Sequence, residues 1–160
     1  MTHALILACG NSLRGDDGVG VEIARRLRVG TFDLDLEICS QQQWTPELAE
    51  PISRADLAVF VDAAAAGLKP GELYLESVER LEDGSTVGSM THSSNPSGLL
   101  TLARLLYGKN PQRSFLLTIG GKSFEYSNEL SKPVRRAIPK ALDRIKGLIA
   151  GVSLPQVKPE

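Results

Sequence analysis

Residues 4–27 read ALILACGNSLRGDDGVGVEIARRL, and this stretch decides the fold. Residues 4–8 form a brief, wholly apolar run of the kind that fills a central parallel strand buried on both faces. Gly10 and Gly15 break that run. From Gly18 onward, Val19, Ile23, Ala24 and Leu27 recur at helical spacing while Glu22, Arg25, Arg26 and Arg28 take the other side. The chain therefore passes from strand to helix through a loop of roughly ten residues that holds the adjacent acids Asp16 and Asp17. A glycine-rich turn in this place raises a dinucleotide site. Gly10, Gly15, Gly18 and Gly20 do not spell G-x-G-x-x-G, however, and the acids stand where a pyrophosphate needs bare amides and a positive helix end. They suit a cation, or they cap the helix and complement its dipole; for Asp16 capping is the plainer role.

The rest of the chain repeats the pattern. Residues 34–39 (LDLEIC) alternate like a half-covered strand. Gln41, Gln42, Gln43 and Trp44 make a polar, aromatic-tipped connection, and Thr45 and Pro46 are the cap and first residue of a short helix through Ile52. Trp44 either packs back on the core or meets a partner. Residues 57–61 (LAVFV) are a second wholly apolar run, ending in Asp62. If the two apolar strands are parallel neighbours, Asp17 and Asp62 both lie beyond the carboxyl ends of the sheet, where open α/β folds place their ligands; the plainer role for Asp62 is to cap the following turn. Residues 71–78 (GELYLESV) read as a strand at an antiparallel edge.

Asn95 and Pro96 start a helix with Leu99, Leu102, Ala103 and Leu106 inward, leaving His92 in the loop just upstream. Residues 114–119 (SFLLTI) are a late buried strand ending at Gly120, with Lys122 solvated beyond it, and residues 131–149 form a closing helix that Pro139 kinks or divides. Strands alternating with helices predict a three-layer α/β/α sandwich with a mostly parallel, roughly five-stranded twisted sheet. Residues 1–150 are expected to form a single domain and residues 151–160 a flexible C-terminal tail.

With 160 residues, a hydrophobic fraction of 42 % and a net charge of −1, the chain is an ordinary globular domain without the basic excess that nucleic-acid binding requires. No segment reaches membrane-spanning length, and the opening apolar run lacks the basic flank of a leader. Cys9 and Cys39 have no C-x-x-C spacing and read as free buried thiols of a reducing cytoplasm. No G-x-S-x-G elbow, H-E-x-x-H helix or P-loop is present, and neither Cys sits in a context that supplies a base. Asp17, Asp62 and His92 together offer two hard oxygens and an imidazole, a set suited to a divalent transition ion with open positions, and hence to metal-assisted peptide hydrolysis.

The runs GNSLRGDDGVG at 10–20, VFVDAAAAG at 59–67, THSSNPSGLL at 91–100 and ELSKPVRRAIPKAL at 129–142 resemble the hydrogenase maturation proteases, in the right order and across nearly the whole chain. The resemblance implies an endopeptidase that removes the C-terminal extension of a nickel-iron hydrogenase large-subunit precursor after nickel insertion. It assigns the nickel contacts, and with them the catalytic role, to Asp17, Asp62 and His92, with Asp16, Gly10 and Asn11 supporting. Many members carry a glutamate at the first of these positions, so Asp17 is a shorter arm. The nickel belongs to the substrate, and zinc or cadmium is able to stand in for it. Gln42, Trp44 and Thr45 occupy the place of a D-G-G-T-like turn in several relatives and are candidates for substrate recognition. The expected partner is the large-subunit precursor, with no nucleic acid and no membrane insertion, and the expected state is a cytoplasmic monomer. A non-enzymatic chaperone that binds the same precursor, and a nucleotide or flavin site on a doubly wound sheet, are the competing readings.

Overall fold

The structure, a computed structural model, describes residues 2–80 and 95–153. In chain order its elements are β1 (His3–Cys9), a 3-10 turn (Gly15–Gly18), α1 (Val19–Arg28), β2 (Asp35–Gln41), a second 3-10 turn (Pro46–Leu48), α2 (Ala49–Arg54), β3 (Leu57–Ala64), β4 (Leu73–Ser77), α3 (Pro96–Tyr107), β5 (Arg113–Gly120) and α4 (Lys132–Ser153). The five strands form one sheet in the order β2-β1-β3-β5-β4, parallel except for β4, which runs antiparallel to β5 at the edge.

Strand alternation divides the core into two layers. Ala4 and Ile6 of β1 and Leu57, Val59 and Val61 of β3 pack with Ile23 of α1 and Ile138, Ala141 and Ile145 of α4. Leu5 and Leu7, with Ala58 and Phe60, face α2 and α3 through Ile52, Leu99 and Ala103. This is the three-layer sandwich that the alternating elements predict. Strands β1 and β3 are buried on both faces, which is why they read as unbroken apolar runs.

Connectivity places the site. From β1 the chain crosses by α1 on one face to β2 on one side, then returns by α2 on the other face to β3 on the other side. The order thus reverses between β1 and β3, and the crevice at such a reversal, beyond the carboxyl ends of the strands, is where this architecture holds ligands.

Several local expectations give way to tertiary packing. In α3, Leu99, Leu100 and Ala103 are buried but Leu106 is 62 % exposed, because the inward face is completed by Leu100 and Ala103 and the last turn, with Leu105 and Tyr107, lies clear of the core. Helix α4 runs unbroken through Pro139. The proline is on the solvent side, while Val134, Ala137, Ile138, Ala141, Ile145 and Ile149 bury the opposite stripe, and that burial outweighs the roughly 3 kcal/mol cost of an interior proline. The helix also takes in Gly151–Ser153, the start of the expected tail; residues 154–160 lie outside the described residues. Of the two thiols only Cys9 is buried, Cys39 being partly exposed. Among the described residues no helix is long and apolar enough to cross a membrane.

Candidate active site

The last rung of the β1–β3 ladder is Ala8 with Val61, so Cys9 and Asp62 are the first residues past it. Strand β3 nevertheless continues to Ala64, carried by β5, with Asp62 opposite Thr118. By alternation the Asp62 side chain shares the face of Ala58 and Phe60. It sits at the reversal point, on a strand rather than on a loose turn, and its Oδ1 accepts the N–H of Ala63 at 2.8 Å. The expected role as a turn cap is thereby replaced by a bond to the adjacent strand residue.

Asp17 reaches the same place from the opening loop. Its Oδ2 accepts the N–H of Asn11 at 2.8 Å, and its own N–H donates to the carbonyl of Arg14 at 3.1 Å. Gly10 permits this fold of the loop: a Cβ there would run into the Asp17 carbonyl oxygen. Gly10 in turn donates its N–H to the carbonyl of Gln41 at 2.9 Å, joining the loop to the end of β2.

The electrostatics are lopsided. Burial pushes the Asp62 carboxyl up to about 6, against a lowering by the Ala63 amide, and the charge of Asp17 pushes it further in the same direction. Among the described residues no Lys or Arg pairs with Asp17 or Asp62. Burial, with Asp62 and Asp17 beside it, likewise lifts the Cys9 thiol to about 12. A thiol so placed is an inert wall of the site rather than a nucleophile. Two neighbouring carboxylates with no counter-charge among the described residues repel each other, and a cation between them would relieve that repulsion.

Asp16, next door, has a different fate. It is 1 % exposed, caps neither the 3-10 turn nor α1, and sends its carboxylate across to the segment before α4. Burial alone would raise its pKa, but three backbone amides and the Ser131 hydroxyl more than offset this and hold it below the usual carboxylate value. Capping was the plainer expectation from sequence. The observed partners, 106 to 115 residues away, leave no local signal that could have shown them.

The connection after β2 flanks the crevice. The Cys9 thiol donates to the carbonyl of Gln42 at 3.4 Å, the Gln42 side chain is exposed, and Thr45 Oγ1 lies 2.9 Å from Gln41 Oε1 and 3.0 Å from Glu47 Oε2. Trp44 packs edge-on against Phe60, centroids 5.4 Å apart and planes at 82°, so most of its ring serves the core under the site. The structure thus brings together Asp17, Asp62, Gly10, Asn11, Gln42, Trp44 and Thr45 at one rim. His92 lies outside the described residues; the described chain resumes at Asn95, whose side chain caps α3 by accepting the Gly98 N–H at 2.7 Å. Among the described residues no three His, Cys, Asp or Glu side chains are grouped to hold a metal ion, and the two carboxylates alone are one ligand short of the expected set.

Residues 42–147 match the family described as hydrogenase maturation protease, over well more than half of the chain. The chain belongs to the hydrogenase maturation protease family. The matched range takes in Asp62 and His92, and the opening loop lies just before it. A protein from Methanocaldococcus jannaschii, provisionally named a hydrogenase maturation protease, is 27 % identical over 152 residues, 91 % of this chain and 95 % of its own. Among solved structures, the hydrogenase 2 maturation peptidase of a Thaumarchaeota archaeon is 25 % identical, with a TM-score of 0.69, covering 92 % of this chain and 98 % of that one. The hydrogenase maturating endopeptidase HybD of E. coli superposes with a TM-score of 0.75 at 21 % identity, over 96 % and 94 % of the two chains, and shows the same fold. Like the family, this chain is a peptidase.

Proposed function

We propose that this chain is the endopeptidase that removes the C-terminal extension from a nickel-iron hydrogenase large-subunit precursor after nickel insertion, and that it recognises the substrate-borne nickel with Asp17, Asp62 and His92. The observation that carries the reading is the crevice between β1 and β3: two carboxylates from different elements converge there with no cation beside them among the described residues, and one is pushed up to about 6. Such a donor set fits a divalent ion presented from outside, since binding supplies the missing positive charge. The ion, when it arrives with the substrate, polarises the peptide carbonyl or acidifies water.

The chain's own residues do the rest. Asp17 and Asp62 orient the incoming site by their oxygens, and Asp62 exchanges a proton near neutral pH in the free chain, as acid–base work requires. The buried Cys9 thiol keeps that wall of the site uncharged. Gln42 at the exposed tip of the next connection, held by the Cys9 contact, stands where it can read the polypeptide around the ion. Three variants test the reading: Asp17→Ala, Asp62→Ala and His92→Ala each abolish cleavage of a nickel-loaded precursor while keeping the wild-type circular dichroism spectrum. Normal cleavage by all three would refute the assignment.

A further inference from the structure

The segment between β5 and α4 lies along the opening loop as a strap. Ser127 donates its N–H to the carbonyl of Leu13 at 2.9 Å, Gly15 donates to the carbonyl of Ser127 at 2.8 Å, and Asp16 donates to the carbonyl of Ser123 at 2.9 Å. Arg14 and Ser127 form an isolated parallel bridge. Gly15, at φ +55°, lets the two backbones close: a Cβ there would stand 2.7 Å from the Ser123 carbonyl oxygen. The Asp16 side chain then fastens the strap. Its Oδ2 accepts the N–H groups of Lys122 at 2.7 Å and Ser123 at 3.1 Å and the hydroxyl of Ser131 at 2.8 Å, and its Oδ1 accepts the N–H of Ser131 at 2.7 Å.

We propose that Asp16 and Ser131 form a latch that positions Asp17, by hanging the Gly15–Gly18 turn on the strap before α4. The turn is a single four-residue 3-10 turn without a side-chain cap, so it has little stability of its own, and its orientation comes from what it is fastened to. Asp17 is the next residue after the fastening point, and its carboxylate direction is read directly in its bond to the Asn11 N–H. The two adjacent acids therefore divide the labour. Asp16 spends its charge on four internal donors and is closed to any ion, whereas Asp17 accepts only the Asn11 amide among the described residues and remains open towards Asp62. Ser131, just before α4, makes the long closing helix the anchor of the loop.

The kinetic part of the test rests on the function proposed above; the exchange part does not. The variants are Ser131→Ala, which deletes one donor, Ser131→Thr, which restores the hydroxyl, Asp16→Asn, which keeps the side chain's size, and Ile145→Val, a core control in α4 with a stability cost similar to that of Ser131→Ala. Hydrogen exchange by NMR at the Asn11 and Asp17 amides is expected to speed by about tenfold or more in Ser131→Ala and Asp16→Asn, to recover in Ser131→Thr and to stay unchanged in Ile145→Val. With nickel-loaded precursor, the single-turnover rate at saturating enzyme falls by about tenfold to a hundredfold in the first two, with KM moved by less than about twofold. Wild-type protection of Asn11 and Asp17, with faster exchange confined to Lys122, Ser123 and Ser131, overturns the latch and leaves Asp16 a purely structural residue. Equal cleavage rates for wild type and Ser131→Ala overturn it as well. If wild type cleaves nothing but Asn11 loses protection in Ser131→Ala, the proposed function falls and the latch stands.

Discussion

Asp62→Asn should make the protein more stable and inactive at once, and the size of the gain follows from the site. The carboxyl titrates near 6 in the folded chain against 3.8 for the free group. A raised carboxylate pKa means that the folded state binds the proton more tightly than the unfolded state, so ionisation destabilises the fold. The cost is absent well below pH 3.8, develops between 3.8 and 6, and is complete above 6. At 1.36 kcal/mol for each pH unit it reaches about 3 kcal/mol at pH 8 and about half of that at pH 5, both upper limits because the side chain is not fully buried. Asparagine keeps an oxygen for the Ala63 amide, so the local bond survives. Urea unfolding followed by circular dichroism, in chelator and at constant ionic strength, should show Asp62→Asn more stable than wild type by about 1 to 3 kcal/mol at pH 8, with the difference shrinking to about half at pH 5. No gain at pH 8, or a gain that does not depend on pH, would refute the picture of a carboxylate held without a counter-charge.

Other consequences are independent of that one. Cys9, raised to about 12, should resist alkylation in the native protein at pH 8 and react at once in urea; fast native labelling mapped to Cys9 by mass spectrometry would contradict its place in the site wall. Asp16→Ala leaves four donors without their acceptor and should cost about 3 to 5 kcal/mol in urea unfolding, a loss below about 1 kcal/mol being the contrary result. Trp44→Ala should cost about 1 to 3 kcal/mol through the lost contact with Phe60, whereas Trp44→Phe should restore most of it, and equal stabilities would show that the ring is not part of the core. Pro139→Ala on the solvent side of α4 should raise the thermal midpoint, since the helix regains an interior hydrogen bond; a fall would mean that the proline is favoured by a contact elsewhere.

What the sequence shows and what it hides divide along physical lines. The runs at 4–8 and 57–61 are legible because a strand buried on both faces has no polar residues to confuse the reading, and an acid that ends such a run marks the sheet's rim. The antiparallel edge strand at Leu73–Ser77 and the Asn95–Pro96 start of α3 are legible because alternation and capping are local chemistry. The partners of Asp16 are not, since a carboxylate that could cap its own helix carries no sign that it will bind amides 106 to 115 residues further on. Leu106 keeps the helical period yet faces solvent because the last turn of α3 lies clear of the core, and Pro139 sits inside an unbroken helix because the opposite stripe of α4 is buried; neither outcome is written in the residue itself. Trp44 shows the same limit: its loop stands at the rim as expected, but its ring is turned under it to Phe60.

The proposed function requires the carboxylates at the rim to read an ion carried by the substrate. The direct test is the intact mass of a hydrogenase large-subunit precursor before and after incubation with this protein, run in parallel with nickel-loaded and nickel-free precursor. Loss of a C-terminal fragment from the loaded precursor alone is the predicted result. Equal cleavage of both forms would contradict the nickel check, and cleavage of neither, with binding intact, would contradict the protease reading itself.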